Sequence, residues 1–202
     1  MEVPQTDKEF EQLVRQLMEK EGLTFIHAIY QLVDQLSAQA LQEQGIQLAC
    51  HKGCCFCCHQ LITCTPMEWR AIRVYFPTLS FRPKYWLRRR LPGLQREWLE
   101  YHQQKGKPAV QNPIEVHDHW LGKPCPFLNH WGECDIYPVR PIVCRGMSST
   151  IKCSQWQGQP GVRYMVFGWE RWANNLILDN TFPKAVTPLL HWLCCLDLSL
   201  LT

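Results

Sequence analysis

Eight cysteines in two groups constrain this chain more than anything else in it. The first group is Cys50, Cys54, Cys57 and Cys58, within Cys50-His-Lys-Gly-Cys-Cys-Phe-Cys-Cys58. The second is Cys125, Cys134, Cys144 and Cys153. Thiolates are soft ligands suited to zinc, copper(I) and iron–sulfur clusters. The N-terminus, with Asp7, Lys8 and Glu9, is too polar for a secretory signal, so a reducing cytoplasmic compartment is expected. Cysteines there bind metal or do chemistry more often than they form disulfides.

The spacings suggest how the thiols converge. C-x3-C-x2-C-C lets one loop present several thiols, and Gly53 supplies a backbone conformation that other residues resist. The adjacent Cys57 and Cys58 point in different directions. Either they serve two centres, or one of them is a ligand and the other packs or acts as a resolving thiol. Gaps of eight, nine and eight residues separate the thiols of the second group, which suits a hairpin and the helix after it. A metal joining the groups would close a loop over the 66 residues between Cys58 and Cys125. Four thiolates on Zn²⁺ leave a charge near −2, and Lys52, Arg140 and Arg145 are placed in sequence to offset it, with His51 a further candidate. Arg140 and Arg145 equally suit bonds to backbone carbonyls.

C-x3-C-x2-C also occurs in enzymes that split S-adenosylmethionine on a 4Fe–4S cluster. This chain lacks the alternating strand–helix pattern of those barrels. Taken together, C-x3-C-x2-C-C, then Cys125-Pro-Phe-Leu128, then Cys134-x-Ile-Tyr-x-x-Arg-Pro-x-x-Cys144-Arg145, resembles the YkgJ-type cysteine-cluster family, described as a zinc- or iron-chelating domain. The resemblance runs from Cys50 to Cys153. It implies metal or cluster binding through Cys50, Cys54, Cys57, Cys58, Cys125, Cys134 and Cys144, with Cys153 less securely placed. Glu68 matches an acidic position that opens the family's next helix. Cys55 is an extra thiol and is not assigned as a ligand. Related cysteine domains occur in flagellin lysine N-methylases, so a cluster-dependent protein-modifying enzyme is an alternative. No glycine-rich nucleotide loop and no nucleophile–base pair is evident.

The expected fold is α+β and mainly helical, with a small cysteine-ligated core, a short hairpin and flanking helices. Residues 1–45 read as an N-terminal helical extension for packing or dimerisation. Phe10, Leu13, Val14 and Leu17 share one helical face, Gly22 interrupts, and Gly45 stops the pattern. Residues 46–155 form the cysteine-cluster domain, and 156–202 an apolar packing segment. Thr65-Pro66-Met67-Glu68 is a capping box that starts a helix ending at Pro77. Helical character over 83–105 is broken by Pro92-Gly93, and 106–124 reads as loop. Residues 124–128 and 134–137 read as short strands about a turn at 129–132.

Several residues have plainer readings. Cys64, Cys194 and Cys195 are expected to pack as small hydrophobes. His51 and His59 are read as exposed loop residues. His117 and His119 could share one strand face. From Arg70 to Arg96 there are eight Lys or Arg and no Asp or Glu, interleaved with Tyr75, Phe81, Tyr85 and Trp86. The favoured reading is a solvated helical face with its aromatics turned to the core. Single-stranded nucleic acid is the less favoured alternative, and an acidic protein partner fits the charge equally. A net charge of +3 alone points to neither nucleic acid nor membrane. No apolar run is long enough to span a bilayer.

Overall fold

The computed structural model describes residues 2–51, 53–105, 113–154, 167–194 and 196. The architecture is mainly helical, with one short antiparallel strand pair. Helix α1 (Asp7–Glu21) ends at Gly22, whose φ of 66° closes the last turn. Helix α2 (Phe25–Glu43) ends in a Schellman turn: the Ile46 and Gly45 N–H groups return to the Leu41 and Gln42 carbonyls, and Gly45 takes φ 62°.

After the first cysteine loop come β1 (Thr63–Cys64) and α3 (Pro66–Tyr75). The capping box expected from sequence opens α3. Thr65 Oγ accepts from Glu68 N, while Glu68 Oε2 accepts from Thr65 N at 2.7 Å. A 3₁₀ turn at Phe76–Thr78 follows.

Helix α4 (Phe81–Lys105) runs unbroken through Pro92-Gly93. Pro92 cannot bond to the Arg88 carbonyl, but both residues are exposed, where water can replace that bond. Helix α5 (Pro113–Trp120) replaces part of the loop expected over 106–124. Its proline opens the helix at the position that needs no N–H partner.

The hairpin expected over 124–137 is a tight turn closed by a single bridge between Leu128 and Cys134. Asn129 Oδ1 accepts the Trp131 and Glu133 N–H groups, each at 3.0 Å, and holds the turn without a longer ladder. The short helix α6 (Ile142–Arg145) comes next, then α7 (Gly168–Asp179), β2 (Thr187–Pro188) and α8 (Leu189–Cys194). Strand β2 pairs with β1, Thr63 opposite Pro188 and Cys64 opposite Thr187.

One apolar core takes residues from all parts of the chain: Phe10 of α1, Ile29 and Leu36 of α2, Ile72 of α3, Phe127 and Ile136 of the turn region, Ile142 of α6, Ile177 of α7 and Leu189 of α8. Burying a side chain such as Phe127 contributes on the order of 2–3 kcal/mol. Helix α2 lies in that core beside the second cysteine segment. A second cluster joins Trp98 and Tyr101 of α4 to Trp120 of α5 and Leu190 of α8. Among the described residues no helix is long and apolar enough to cross a membrane.

Candidate metal centre

The two cysteine groups come together through backbone bonds. The Cys125 N–H donates to the Cys58 carbonyl at 2.7 Å, and the Gly122 N–H to the His59 carbonyl at 2.8 Å. Gly53, at φ 88°, lies against Gly132, at φ 79°. A Cβ on Gly132 would sit 2.8 Å from the Gly53 carbonyl oxygen, so the two loops meet backbone to backbone. A third strap comes from the far end of the second group. The Ala49 N–H donates to the Ser149 carbonyl, and the Ser149 N–H donates to Cys50 Sγ at 3.2 Å.

Cys57 is next to Cys58, whose carbonyl joins the two groups. Hydrogen bonding from Cys58 lowers its thiol to about 7 against the opposing effect of burial, with help from Arg140. The Cys58 thiol, which donates that bond and is also buried, is pushed up. Burial raises Cys125 to about 12, with Cys134 adding to it, and raises Cys134 to about 11. Cys144 rises well above the ordinary thiol value through burial and then through the nearby Cys125, Cys134 and Cys57. Cys50 and Cys153 are raised chiefly by burial, and each also feels Cys54 and Cys57.

Thiols of both groups feel one another, since Cys57 adds to the rise of Cys50, Cys55, Cys58, Cys125, Cys134, Cys144 and Cys153. Among the described residues, no three His, Cys, Asp or Glu side chains stand together as a preformed metal-binding group. Thiols are the donors a soft metal takes, and every one of these is uncrosslinked and half-buried.

The cations divide between facing the thiols and bracing the scaffold. Arg140 lowers Cys57 and opposes the rise of Cys134 and Cys144. Its guanidinium lies over the Tyr137 ring at 3.8 Å and donates to the Tyr137 carbonyl. Arg145 is almost fully buried, with a side chain 2% exposed. It donates to the Arg140 and Pro138 carbonyls, covers the Tyr30 ring and pairs with Asp34 of α2. Lys52 lies outside the described residues.

Three residues at this centre were not singled out from sequence. Arg90 of α4 donates to the Pro126 and Leu128 carbonyls and so clamps the Cys125-Pro-Phe-Leu128 turn. Its charge also opposes the rise of the Cys125 thiol. Asp34 anchors both Arg145 and, at 3.7 Å, Arg140. Gln60 donates to the Cys57 carbonyl at 2.9 Å. No local signal marks Arg90 or Asp34, because their partners lie far away in sequence.

The remaining candidates are placed as follows. Nδ1 of His51 lies 3.0 Å from the Ala49 carbonyl, and Nδ1 of His59 lies 2.9 Å from the Cys55 carbonyl. His117 and His119 sit on a helix, where residues two apart do not share a face, which corrects the strand-face reading. His119 packs on Tyr101 and lies 2.9 Å from Lys123 Nζ. Cys64 is a core residue at 1% exposure, Cys194 is half-buried, and Cys195 is outside the described residues. The cavity bordering Cys125 is only about 10 Å³, room for one water.

Comparison of the chain with protein-family models, with curated proteins and with solved structures returned no match.

Proposed function

We propose that this protein binds zinc or iron through the two cysteine groups, with a 4Fe–4S cluster as one form the metal takes. The observation that carries this reading is the joining of the two cysteine groups by backbone bonds, from the Cys125 N–H to the Cys58 carbonyl at 2.7 Å and from the Ala49 N–H to the Ser149 carbonyl at 2.8 Å. The vicinal pair Cys57–Cys58, held against the second group by the Cys58 carbonyl, fits either one centre or two adjacent ones. The resemblance to the YkgJ-type family points the same way.

The thiols would supply the ligands, and Arg140 would offset their charge. Arg90, Arg145 and Asp34 hold the loops that carry them. Such a site contributes to folding as well as to function, since a metal joining distant loops favours the ordered chain.

Substituting Cys54→Ser and Cys134→Ser separately tests the reading. Each variant is expected to lose bound metal and to melt at a lower temperature. Full metal content and an unchanged Tm in both would overturn it.

A further inference from the structure

In the basic stretch from Arg70 to Arg96, Tyr75 packs on the core as expected, but Phe81, Tyr85 and Trp86 lie on the outside, which reverses the expectation for those three. Phe81 is 78% exposed, Trp86 47% and Trp131 57%. The rings form a continuous row. Phe81 stacks on Tyr85 at 5.7 Å, Tyr85 meets Trp86 at 5.5 Å, Trp86 meets His130 at 6.4 Å, and His130 lies against Trp131. The buried residues of α4, Leu87, Leu91, Trp98 and Tyr101, lie away from this row on the core-facing side of the helix.

Guanidinium groups border this row. Arg82, Arg88, Arg89 and Arg96 are all exposed. Arg89 donates to Tyr85 Oη at 2.9 Å and lies over that ring at 5.7 Å. From Phe81 to Arg96 the stripe extends about 22 Å along the helix. Acidic residues begin only beyond it, at Glu97 and Glu100, and beside the turn, at Glu133 and Asp135.

We propose that this stripe, Phe81, Tyr85 and Trp86 with the His130–Trp131 turn and the flanking arginines, is a binding surface for single-stranded nucleic acid. Exposed ring faces beside cations match a chain of stackable bases on a phosphate backbone. A duplex hides its base faces, and an acidic peptide would engage the arginines but leave the rings without partners. Anionic lipid would favour rings free to insert, whereas Tyr85 is tied to Arg89 and Trp131 is packed on His130. The proposal does not rest on metal binding. Its residues are separate from the thiols and from Arg90, Arg140 and Arg145.

Fluorescence anisotropy of the full chain with a labelled oligouridine of about 16 nucleotides tests it. Parallel titrations use a duplex of equal length, polyglutamate, and vesicles containing phosphatidylserine. The single strand is expected to bind most tightly and to weaken as salt rises. The double variant F81A/W86A, both positions being exposed, is expected to keep the wild-type Tm, bind at least ~10-fold more weakly and retain the salt slope. R88A/R89A is expected to reduce that slope by about 1.4, two phosphate contacts' worth. Equal binding of duplex and single strand, unchanged binding by F81A/W86A, or binding only to polyglutamate or vesicles would overturn the proposal.

Discussion

Glu68 Oε1 accepts the backbone N–H of Ile142 at 2.8 Å, across 74 positions of sequence. The same carboxylate caps its own helix through Oε2, which accepts from the Thr65 N–H and hydroxyl. One buried side chain thus fixes the helix after the first cysteine loop and the start of the helix that carries Cys144. Glu68→Ala is expected to cost about 3 kcal/mol or more, since each buried group left without its partner costs roughly 1–3 kcal/mol. Glu68→Gln, which still accepts from Ile142, is expected to cost less. Urea unfolding measures both, and an alanine variant within about 0.5 kcal/mol of wild type contradicts this role.

Gly146 follows α6 and faces Glu170 of α7. A Cβ at Gly146 would collide with Glu170 Oε2 and stand 2.7 Å from Cδ. Gly146→Ala is expected to destabilise by about 1–3 kcal/mol, as other overpacking changes do. The penalty is expected to shrink when Glu170 is also alanine. A double-mutant cycle reads that coupling, and additive effects would show that the contact does not limit the site.

Burial raises Glu170 to about 7 from the ordinary 4.5, against the Phe167 backbone hydrogen bond. Between those values the folded chain holds more protons than the unfolded one. Stability from this group therefore falls as pH rises from about 4.5 through about 7, and stays lower above it. Glu170→Gln removes that dependence. In Tm-versus-pH curves the variant is expected to gain on wild type across this window; parallel curves would contradict the assignment.

Arg90 clamps the turn that carries Cys125 through the Pro126 and Leu128 carbonyls. Arg90→Ala leaves both carbonyls without this donor and frees the turn. Lower metal content at unchanged helicity by circular dichroism is expected. Full metal content would reduce Arg90 to a packing residue.

Local chemistry was legible in the sequence where the determinants lie within a few residues. The Thr65–Glu68 box, the Gly22 and Gly45 stops and the α+β, mainly helical class are of this kind. Pro113 read as a loop breaker because proline both opens helices and ends them, and only its place at the start of α5 decides between the two. Pro92 misled for a related reason: its lost bond falls on the solvent side of α4. The Arg145–Asp34 pair spans 111 positions and joins α6 to a helix without cysteines, so no spacing rule could reveal it. The exposed row from Phe81 to Trp86 was hidden because composition records aromatics without saying which side of the helix they take.

The central claim is that the thiols of the two cysteine groups hold a metal. Metal and acid-labile sulfide analysis of the protein, isolated without oxygen, tests this most directly. The expected result is zinc or iron in stoichiometric amount, with iron accompanied by sulfide and broad absorbance near about 400 nm if a cluster forms. Protein that is metal-free as isolated, and that takes up neither zinc nor iron with sulfide on reconstitution, would contradict it.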